Sequence, residues 1–479
     1  MPVNPLLSLI RLRRFFFTFY FLSSFSFANE NPLSTHQIIS ILSGVKIENS
    51  QSELINEIQN SPEWEELERF KSKYPSAEVL WNSRQSEEFQ QNEQVNHPAR
   101  GNLQVRANKI SQSYREAWRT FSKEKLSEAN QESTGVFYPF GGPDTIFPTL
   151  LFPNMKKLIL VGLEDIGTLP NIKELHERKQ LVNLIRHFGH SIYNAFELGY
   201  FPTKTMHREF GEYGVIGIAS SALLLMGAEI ISIENFSLGE DGSVIPDPDS
   251  NYAFRLRYRM GSDQQDREVY YFKQELQKII PGRSHPFRNF LNNQSIQTSY
   301  LKATNYSLFD HFEKYQSIVL YMVKQKYIVQ SDCGIPFATF NYPEIEVDLF
   351  GQYAVPNRKL GSFPMWELRS AYAEAILNEG SENDIELFKQ IHGTDAKFFK
   401  GQNKTKLSWR GYLPSGYDYP AGHLNANYWS TYRDWGNLIF PNSKDESESG
   451  RRVLSNLIYV RLNGILKKLL EDDAQEERQ

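Results

Sequence analysis

The sequence predicts an α/β fold: a three-layer, Rossmann-like mixed sheet with a helical N-terminal extension and an irregular, aromatic-rich C-terminal region. Three observations support this prediction. Apolar runs of strand length alternate with helical stretches through the middle of the 479-residue chain. The first two runs are joined by a glycine turn and a short helix, as in a βαβ unit with parallel strands. Two later segments alternate apolar and polar residues at period two, which is typical of an antiparallel pair with one exposed face.

The βαβ unit is predicted within residues 136–165. A short apolar strand over residues 136–140 ends at a Gly-Gly-Pro-Asp turn, and an apolar helical piece over 147–152 follows it. The second strand, residues 157–161, has the continuous apolar character of a strand that is buried on both faces. It ends at Gly-Leu-Glu-Asp, residues 162–165, so both turns are predicted at the carboxyl ends of parallel strands.

The remaining elements of the middle region, residues 113–360, follow from the same periodicities. Apolar residues at three-to-four spacing predict helical structure in three segments, 174–200, 214–225 and 299–325. Apolar runs and period-two alternation predict strands in five segments, 229–233, 253–258, 268–272, 327–330 and 346–350. The strands at 253–258 and 268–272 are the expected half-exposed antiparallel pair.

Two regions flank this α/β domain. Residues 29–112 are polar and helix-leaning, and the stretch rich in Gln, Asn, Glu and Ser at 83–104 is typical of a solvated linker. Residues 361–479 are less regular. Within them, helices are predicted at 365–377 and 453–470, on either side of a segment rich in aromatic residues, Gly and Asn; an acidic tail follows. The sequence therefore divides into 1–28, 29–112, 113–360 and 361–479.

The first 28 residues have the pattern of a secretory signal peptide. Three arginines, Arg11, Arg13 and Arg14, precede an apolar run, and small residues stand at Ser26 and Ala28. The run is shorter than the roughly 20 apolar residues that span a bilayer. The pattern predicts an exported protein, periplasmic or secreted after cleavage near Ala28, without a stable transmembrane segment once the leader is removed. An uncut membrane anchor is the alternative.

Composition disfavours several functional classes. The formal net charge is −5, and removal of the three leader arginines makes the chain more acidic, so it offers no electrostatic footprint for nucleic acid. The single cysteine, Cys333, excludes an intramolecular disulfide. His187 and His190 are three residues apart, but no motif supplies a third ligand, so neither a metal site nor a bound cofactor is predicted. The common nucleophile-elbow, Walker and His-Glu-x-x-His motifs are also missing from the sequence.

The strongest candidate site lies at the predicted strand ends, because ligands of open parallel sheets bind there. Tyr138, Gly141 and Gly142 are the candidate binding residues of the first turn. Asp144, Glu164 and Asp332 each follow a predicted strand and, if they converge, form a carboxylate site for acid/base chemistry. The alternative is structural: the glycines make a tight turn, Asp144 caps the next helix, and Asp332 lies in an ordinary Gly-Pro turn.

The aromatic C-terminal segment is a second candidate binding surface. Trp409, Tyr412 and Trp429 belong to a stretch in which exposed rings would stack on sugars or anchor a partner. The alternative is that these rings pack on the core of the protein. The corresponding partners are an unknown small molecule, a glycan or another envelope component.

Four short motifs occur in order along residues 134–357. They are Tyr-Pro-Phe-x-Gly-Pro-Asp at 138–144, Gly-Leu-Glu at 162–164, Gln-x-Asp-x-Gly-Ile-Pro at 330–336 and Leu-Phe-Gly-x-Tyr at 349–353. In this set the chain resembles a family of uncharacterised secreted bacterial proteins, over about half of its length. The resemblance implies no activity. The chain departs from the family pattern at Cys333, where a serine is expected, and its C-terminal region lies outside the resemblance.

The outline of the first two strands and their turns is also similar to a methyltransferase-like Rossmann domain. The spaced glycines of a dinucleotide or adenosylmethionine loop are missing, and Pro143 removes one amide donor. Export also disfavours that activity, since adenosylmethionine is scarce outside the cytoplasm. Two classes remain: a non-catalytic envelope or secreted binding protein, which the sequence favours because no catalytic motif is recognised, and an enzyme with a carboxylate site at Asp144, Glu164 and Asp332.

Overall fold

The computed structural model of the chain describes part of the sequence. The described residues are 34–43, 47, 55–56, 59–60, 64–65, 112–169, 213–261, 265–280, 283–302, 315–331, 334–335, 337–340, 342–351, 381–382, 385, 406–410, 413–414, 456–463 and 465. Residues 1–28, Asp332, Cys333, Tyr412, Trp429, and the helices predicted at 174–200 and 365–377 lie outside them.

Among the described residues, one mixed sheet of eleven strands organises the molecule. In chain order the strands are β1 (Gly135–Tyr138), β2 (Lys157–Gly162), β3 (Ala228–Leu238), β4 (Val244–Pro246), β5 (Ala253–Met260), β6 (Arg267–Lys273), β7 (Thr298–Leu301), β8 (Tyr327–Gln330), β9 (Glu346–Gly351), β10 (Lys406–Trp409) and β11 (Asn456–Arg461). Their order across the sheet is β10-β9-β11-β8-β7-β1-β2-β6-β5-β3-β4. The α/β prediction is confirmed.

The centre of the sheet is parallel and its flanks are mixed. β8, β7, β1, β2 and β6 run in one direction as neighbours. On one side, β5, β3 and β4 continue the sheet in antiparallel pairs. On the other side, β11 is antiparallel to both β8 and β9, and β10 is parallel to β9. The predicted parallel pairing of the first two strands is confirmed, as is the antiparallel pairing of residues 253–258 with 268–272. The expected half-exposure of this pair is wrong for β6, because Val269 and Tyr271 join one hydrophobic cluster while Tyr270 and Phe272 join the other.

Seven described helices accompany the sheet. They are α1 (Thr35–Leu42), α2 (Gln112–Lys125), α3 (Ser127–Glu132), α4 (Ile146–Leu151), α5 (Gly214–Leu225), α6 (Pro286–Asn292) and α7 (Gln316–Met322), with short 3₁₀ turns at Leu276–Lys278 and Phe337–Phe340. The helix predicted over 299–325 is only partly present. Its first residues form β7, where all four side chains are buried, and α7 occupies residues 316–322.

Two hydrophobic clusters form the core, and neighbouring residues of the central strands contribute to different ones. Leu158 and Leu160 of β2 join a cluster with α2, α4 and α5, whereas Ile159 and Val161 join a cluster with α6 and α7. Because successive side chains of a strand point to opposite faces, the alternation places apolar contacts on both faces of the parallel centre.

The prediction of an amphipathic helix over residues 453–470 is wrong for residues 456–461, which form β11. Leu457 and Tyr459 belong to one hydrophobic cluster, and Ile458 and Val460 belong to the other. A short, continuous apolar run fits a doubly buried strand as well as a helix, so periodicity could not separate the two. Together with β10, this strand brings part of the C-terminal region into the central sheet.

A bulge in β3 sets which of its side chains face the core. The register with β5 shifts between Ile230 and Ser232, so Ile231 is the extra residue. Ala228 and Ile230 then lie in the same cluster as α5, while Ser232 and Glu234 lie on the charged face with Arg255 and Arg257. In a regular strand without the bulge, Ile230 and Ser232 would lie on the same face, and Ile230 would share the charged face.

Candidate functional site

The candidate site lies where the parallel strands at the centre of the sheet end. β1 has β2 on one side and β7 on the other, although β7 follows much later in the chain. The turns after β1 and β2 therefore lie at the same edge of the sheet. They touch: the amide of Gly142 donates a hydrogen bond to the carbonyl oxygen of Val161, with an N···O distance of 3.2 Å.

The turn after β1 has an unusual backbone. Phe140 has φ = +62° and Gly142 has φ = +52°, and a positive φ in a bulky aromatic residue is an uncommon, strained conformation. The Phe140 ring is half-buried and packs edge-on against Tyr315, with 5.4 Å between centroids. At Gly141, a β-carbon would lie 2.7 Å from the ring of Tyr138. The turn depends on close packing between its own residues.

Asp144 is buried at the end of this turn and acts as a structural acceptor. Its carboxylate accepts hydrogen bonds from the Tyr138 hydroxyl at 3.3 Å and from the backbone amide of Phe147 at 3.4 Å. The second contact satisfies an amide in the first turn of α4. Tyr138 is fixed in turn by Tyr300 of β7, with ring centroids 4.6 Å apart. Asp144 thus binds an amide of α4, as the capping alternative expects, although the N-cap position itself is Thr145.

Glu164 is also buried and holds the turn after β2. Its Oε2 accepts from the amide of Leu163 at 2.9 Å and from the Tyr271 hydroxyl at 3.2 Å, and that hydroxyl also lies 2.8 Å from the Glu164 carbonyl oxygen. Burial and the neighbouring Glu164 charge raise the pKa of Tyr271 well above its ordinary value, so the phenol stays protonated and donates. A β-carbon at Gly162 would lie 2.7 Å from this hydroxyl and 3.1 Å from Gly142 Cα.

The third predicted carboxylate, Asp332, lies outside the described residues, so its distance from the other two is not defined. Gln330, before it, holds the neighbouring turn: its amide donates to the carbonyl oxygen of Ile335 at 2.8 Å and accepts from the Ile335 amide at 2.9 Å. Of the predicted set, the structure brings together the turns that carry Tyr138, Gly141, Gly142, Asp144 and Glu164.

Two residues of this region were missed by sequence reasoning. Tyr271 is the hydroxyl partner of Glu164, and its contact depends on the register between β2 and β6. Lys302 follows β7 directly; it is buried, and its ammonium group lies 3.7 Å from the centroid of the Phe147 ring in α4. The only sequence signal for Lys302 was its position after a strand, which the predicted helix over 299–325 concealed.

The solvent-facing rim of the site is formed by the turn after β2. Leu163 is 46% exposed, although Glu164 beside it is buried. Asp165 and Lys273 form an ion pair beside it, and both side chains are partly exposed. Residues 141–145 are buried, so a ligand from solvent meets Leu163, Asp165 and Lys273 before it meets Asp144 or Glu164.

Trp409, a candidate for sugar stacking, is buried in the sheet. Its indole nitrogen donates to the carbonyl oxygen of Gly351 at 3.4 Å, and its ring belongs to the cluster on the α6–α7 face. A ring in that position packs the core and presents no stacking face to solvent. Tyr412 and Trp429, the other two aromatic candidates, lie outside the described residues.

No family model, curated protein or solved structure matches this chain. Within the described part of the chain, no three His, Cys, Asp or Glu residues are grouped so that they would hold a metal ion. Among the helices of that same part, none has the length and apolar character needed to cross a bilayer.

Proposed function

We propose that this protein is an exported, non-catalytic binding protein whose ligand sits at the rim of the strand-end crevice beside β1 and β2. The observation that carries the proposal is the placement of β2 and β7 on opposite sides of β1. In open α/β sheets, a crevice forms where connections diverge to opposite sides of one strand, and ligands bind at the carboxyl edge there. The two contacting turns lie at that edge.

We propose further that the centre of the sheet is a Rossmann-like, three-layer arrangement. Taken alone, the parallel strands in chain order are β1, β2, β6, β7 and β8, and their spatial order corresponds to 3-2-1-4-5, which is the order of the doubly wound fold. Two hydrophobic clusters with different helices support the idea that both faces are covered. This fold carries many functions, so the site itself has to carry the functional argument.

Binding is favoured over catalysis because the two buried carboxylates already serve the fold. Asp144 accepts from Tyr138 and Phe147, and Glu164 accepts from Leu163 and Tyr271. An acid/base group must reach a bound substrate, yet these two lie beneath the turn surface. The accessible groups are an apolar side chain, Leu163, and the ion pair of Asp165 with Lys273.

The chemistry of this rim suits a small molecule that has both an apolar face and hydroxyl groups, such as a sugar or a sugar-bearing compound. Leu163 offers the apolar contact, Asp165 accepts hydrogen bonds from hydroxyls, and Lys273 donates them. The leader pattern of residues 1–28 supports export, which would expose this rim to envelope or extracellular glycans.

The test is a thermal-shift screen of the exported form, whose N-terminal sequence should begin at Asn29, against monosaccharides, oligosaccharides and nucleosides. We expect at least one probe to raise the melting temperature, because a ligand that binds only the folded state stabilises it. Leu163→Glu should abolish that shift. Ile245→Glu is the matched control, since Ile245 is 49% exposed on the distant edge strand β4 and should keep the shift.

Absence of any shift, or a shift that Leu163→Glu retains, would overturn the binding proposal. The second candidate, a carboxylate enzyme, is favoured by one observation: Asp144 and Glu164 follow neighbouring strands, and each contacts a tyrosine hydroxyl. In the same screen, conversion of a probe by the wild-type chain but not by Glu164→Gln would replace binding with catalysis.

A further inference from the structure

The helix α1 packs against α5 and β3, which lie almost two hundred residues later in the chain. It begins with a capping box in which the Ser34 hydroxyl accepts from the Gln37 amide and the Gln37 side chain accepts from the Ser34 amide. Ile39, Ile41 and Leu42 are buried, and Leu42 belongs to the cluster with α5. At its end, the Ser43 hydroxyl donates to the Ser221 hydroxyl of α5 at 2.9 Å.

His36 makes the polar contact between α1 and the sheet. Its Nδ1 accepts a hydrogen bond from the backbone amide of Ile230, with an N···N distance of 3.3 Å. Ile230 lies at the bulge of β3, and backbone amides of a strand point within the plane of the sheet. Among the described residues, β4 pairs only with Phe236–Leu238 of β3, so His36 lies at the part of the β3 edge that β4 leaves uncovered.

The contact requires a neutral imidazole, because a protonated Nδ1 is a donor and cannot accept from an amide. Burial lowers the pKa of His36, and the nearby Glu229 carboxylate opposes this with a smaller effect. The helices α1 and α5 carry no charged residues. Other charged residues lie near this edge. Glu234 forms ion pairs with Arg255 and Arg257, and Arg259 forms one with Asp266. Arg115 lies near Gly227, just before β3.

We propose that α1 is an acid-sensitive latch: neutral His36 closes it on the β3 edge, and protonation of His36 releases it. Protonation of Nδ1 leaves two donors, Nδ1–H and the Ile230 amide, facing each other, and it places a positive charge in a half-buried position. Release of α1 uncovers the amides of β3 near Ile230 and the apolar surface beneath Leu42. An uncovered strand edge can pair with a further strand, so the latch controls access to that edge. The proposal is independent of the ligand site.

The direction of the pH dependence follows from the lowered pKa. In the undocked state His36 takes up a proton near its ordinary pKa of about 6.5, whereas in the docked state it resists protonation. Docking is therefore fully favoured above that value and weakens as the pH falls below it. The hydroxyl pair Ser43–Ser221 does not titrate in this range, so it does not contribute to the change.

The test is hydrogen–deuterium exchange of the whole chain at pH 7.5 and pH 5.0, corrected for the intrinsic exchange rate at each pH. We expect protection of α1 and of the β3 segment around Ile230 to fall about fivefold or more at pH 5.0, as the loss of one hydrogen bond implies. Unchanged protection in the wild-type chain would overturn the proposal, whatever the variants show.

Two variants identify the group responsible. His36→Asn keeps an acceptor at this position but cannot titrate, so α1 should stay protected at pH 5.0; a wild-type-like loss would overturn the assignment to His36. If α1 is unprotected at pH 7.5 in His36→Asn, His36→Gln supplies the same amide acceptor on a longer side chain. A loss of α1 protection at pH 5.0 in that variant would likewise overturn the assignment to His36. His285→Asn is the control, since His285 Nδ1 accepts from the Phe287 amide at 3.2 Å in α6; an α1 response that disappears in this variant would also contradict the latch.

Discussion

The parallel centre of the sheet (β8, β7, β1, β2 and β6) and its antiparallel extension (β5, β3 and β4) bury their side chains to different extents. Every residue of β1, β7 and β8 is buried, and β2 is half-buried only at its two ends. In β5, by contrast, arginines alternate with buried apolar residues, and the arginines form ion pairs with Glu234 and Asp266. The centre packs along both faces. In the extension one face packs on the core, and the other carries ion pairs along its middle and joins the second cluster only at Phe236 and Ala253.

This difference explains why the candidate site belongs to the centre. Strands buried on both faces leave only their ends accessible, so polar groups collect in the turns that follow them. Those turns pack tightly, as Gly142 and Gly162 show. In the extension, charged side chains emerge along the middle of β5 and β3, where arginines form ion pairs with Glu234 and Asp266.

The largest effect should come from Gly162→Ala at the end of β2. The new methyl group would overlap the Glu164 carboxylate and approach Gly142 Cα to 3.1 Å, and the backbone of the first turn cannot move without disturbing Val161. Overpacking of this kind costs about 3 kcal/mol. The free energy of unfolding should fall by that amount in urea titrations.

Gly261→Ala is the control for this substitution, at the end of β5 in the extension. No atom lies within 4 Å of its β-carbon position, but its φ is +52°, so only the backbone cost of about 1 kcal/mol is expected. Equal losses in the two variants would contradict the view that the centre is the more tightly packed region.

A smaller effect is expected from Tyr271→Phe, which removes the hydroxyl that donates to buried Glu164. Hydrogen bonds to charged groups contribute about 2 kcal/mol, and the carboxylate would stay buried with one donor fewer. The matched change in the extension is Tyr252→Phe, where a part-buried hydroxyl donates to Gln274 at 2.8 Å; about 1 kcal/mol is expected there. Urea unfolding of both variants measures the difference, and a larger loss at Tyr252 would reverse the comparison.

The sequence predicted the parts of the fold that depend on local pattern. The continuous apolar run of β2 predicted a strand buried on both faces with parallel neighbours. The alternation of β5 predicted a strand with one exposed face and antiparallel neighbours. The strand order was not predictable, since it depends on which strands meet across long connections. The error at residues 456–461 arose because six residues are too few to separate two periods.

The positions of the two turns were predicted, but the contacts of their side chains were not. The glycine turn and the acidic turn were correctly expected at neighbouring strand ends, yet the sequence left open whether Asp144 and Glu164 face a ligand or the backbone. The partner of Glu164 is Tyr271, which comes from a strand about a hundred residues away. Contacts made through sheet register have no local signature. The exposure of Leu163 was equally hidden, because a single leucine in a turn is found both buried and exposed.

The smallest effect should come from Glu234→Gln on the charged face of the extension. Arg255 and Arg257 donate to its carboxylate, each at 2.6 Å, and lower the pKa of Glu234 to about 2. Because the side chains involved are 29–39% exposed, solvent screening limits the loss to less than about 1 kcal/mol at pH 7.

A carboxylate whose pKa falls on folding stabilises the native state above its ordinary pKa and loses that contribution as the pH drops toward the lowered value. The difference in unfolding free energy between wild type and variant should therefore be constant from pH 7 to about pH 5 and shrink as the pH falls from there toward 2. A difference that persists at pH 2, or one as large as that of Tyr271→Phe, would show that charges hold the extension as firmly as packing holds the centre.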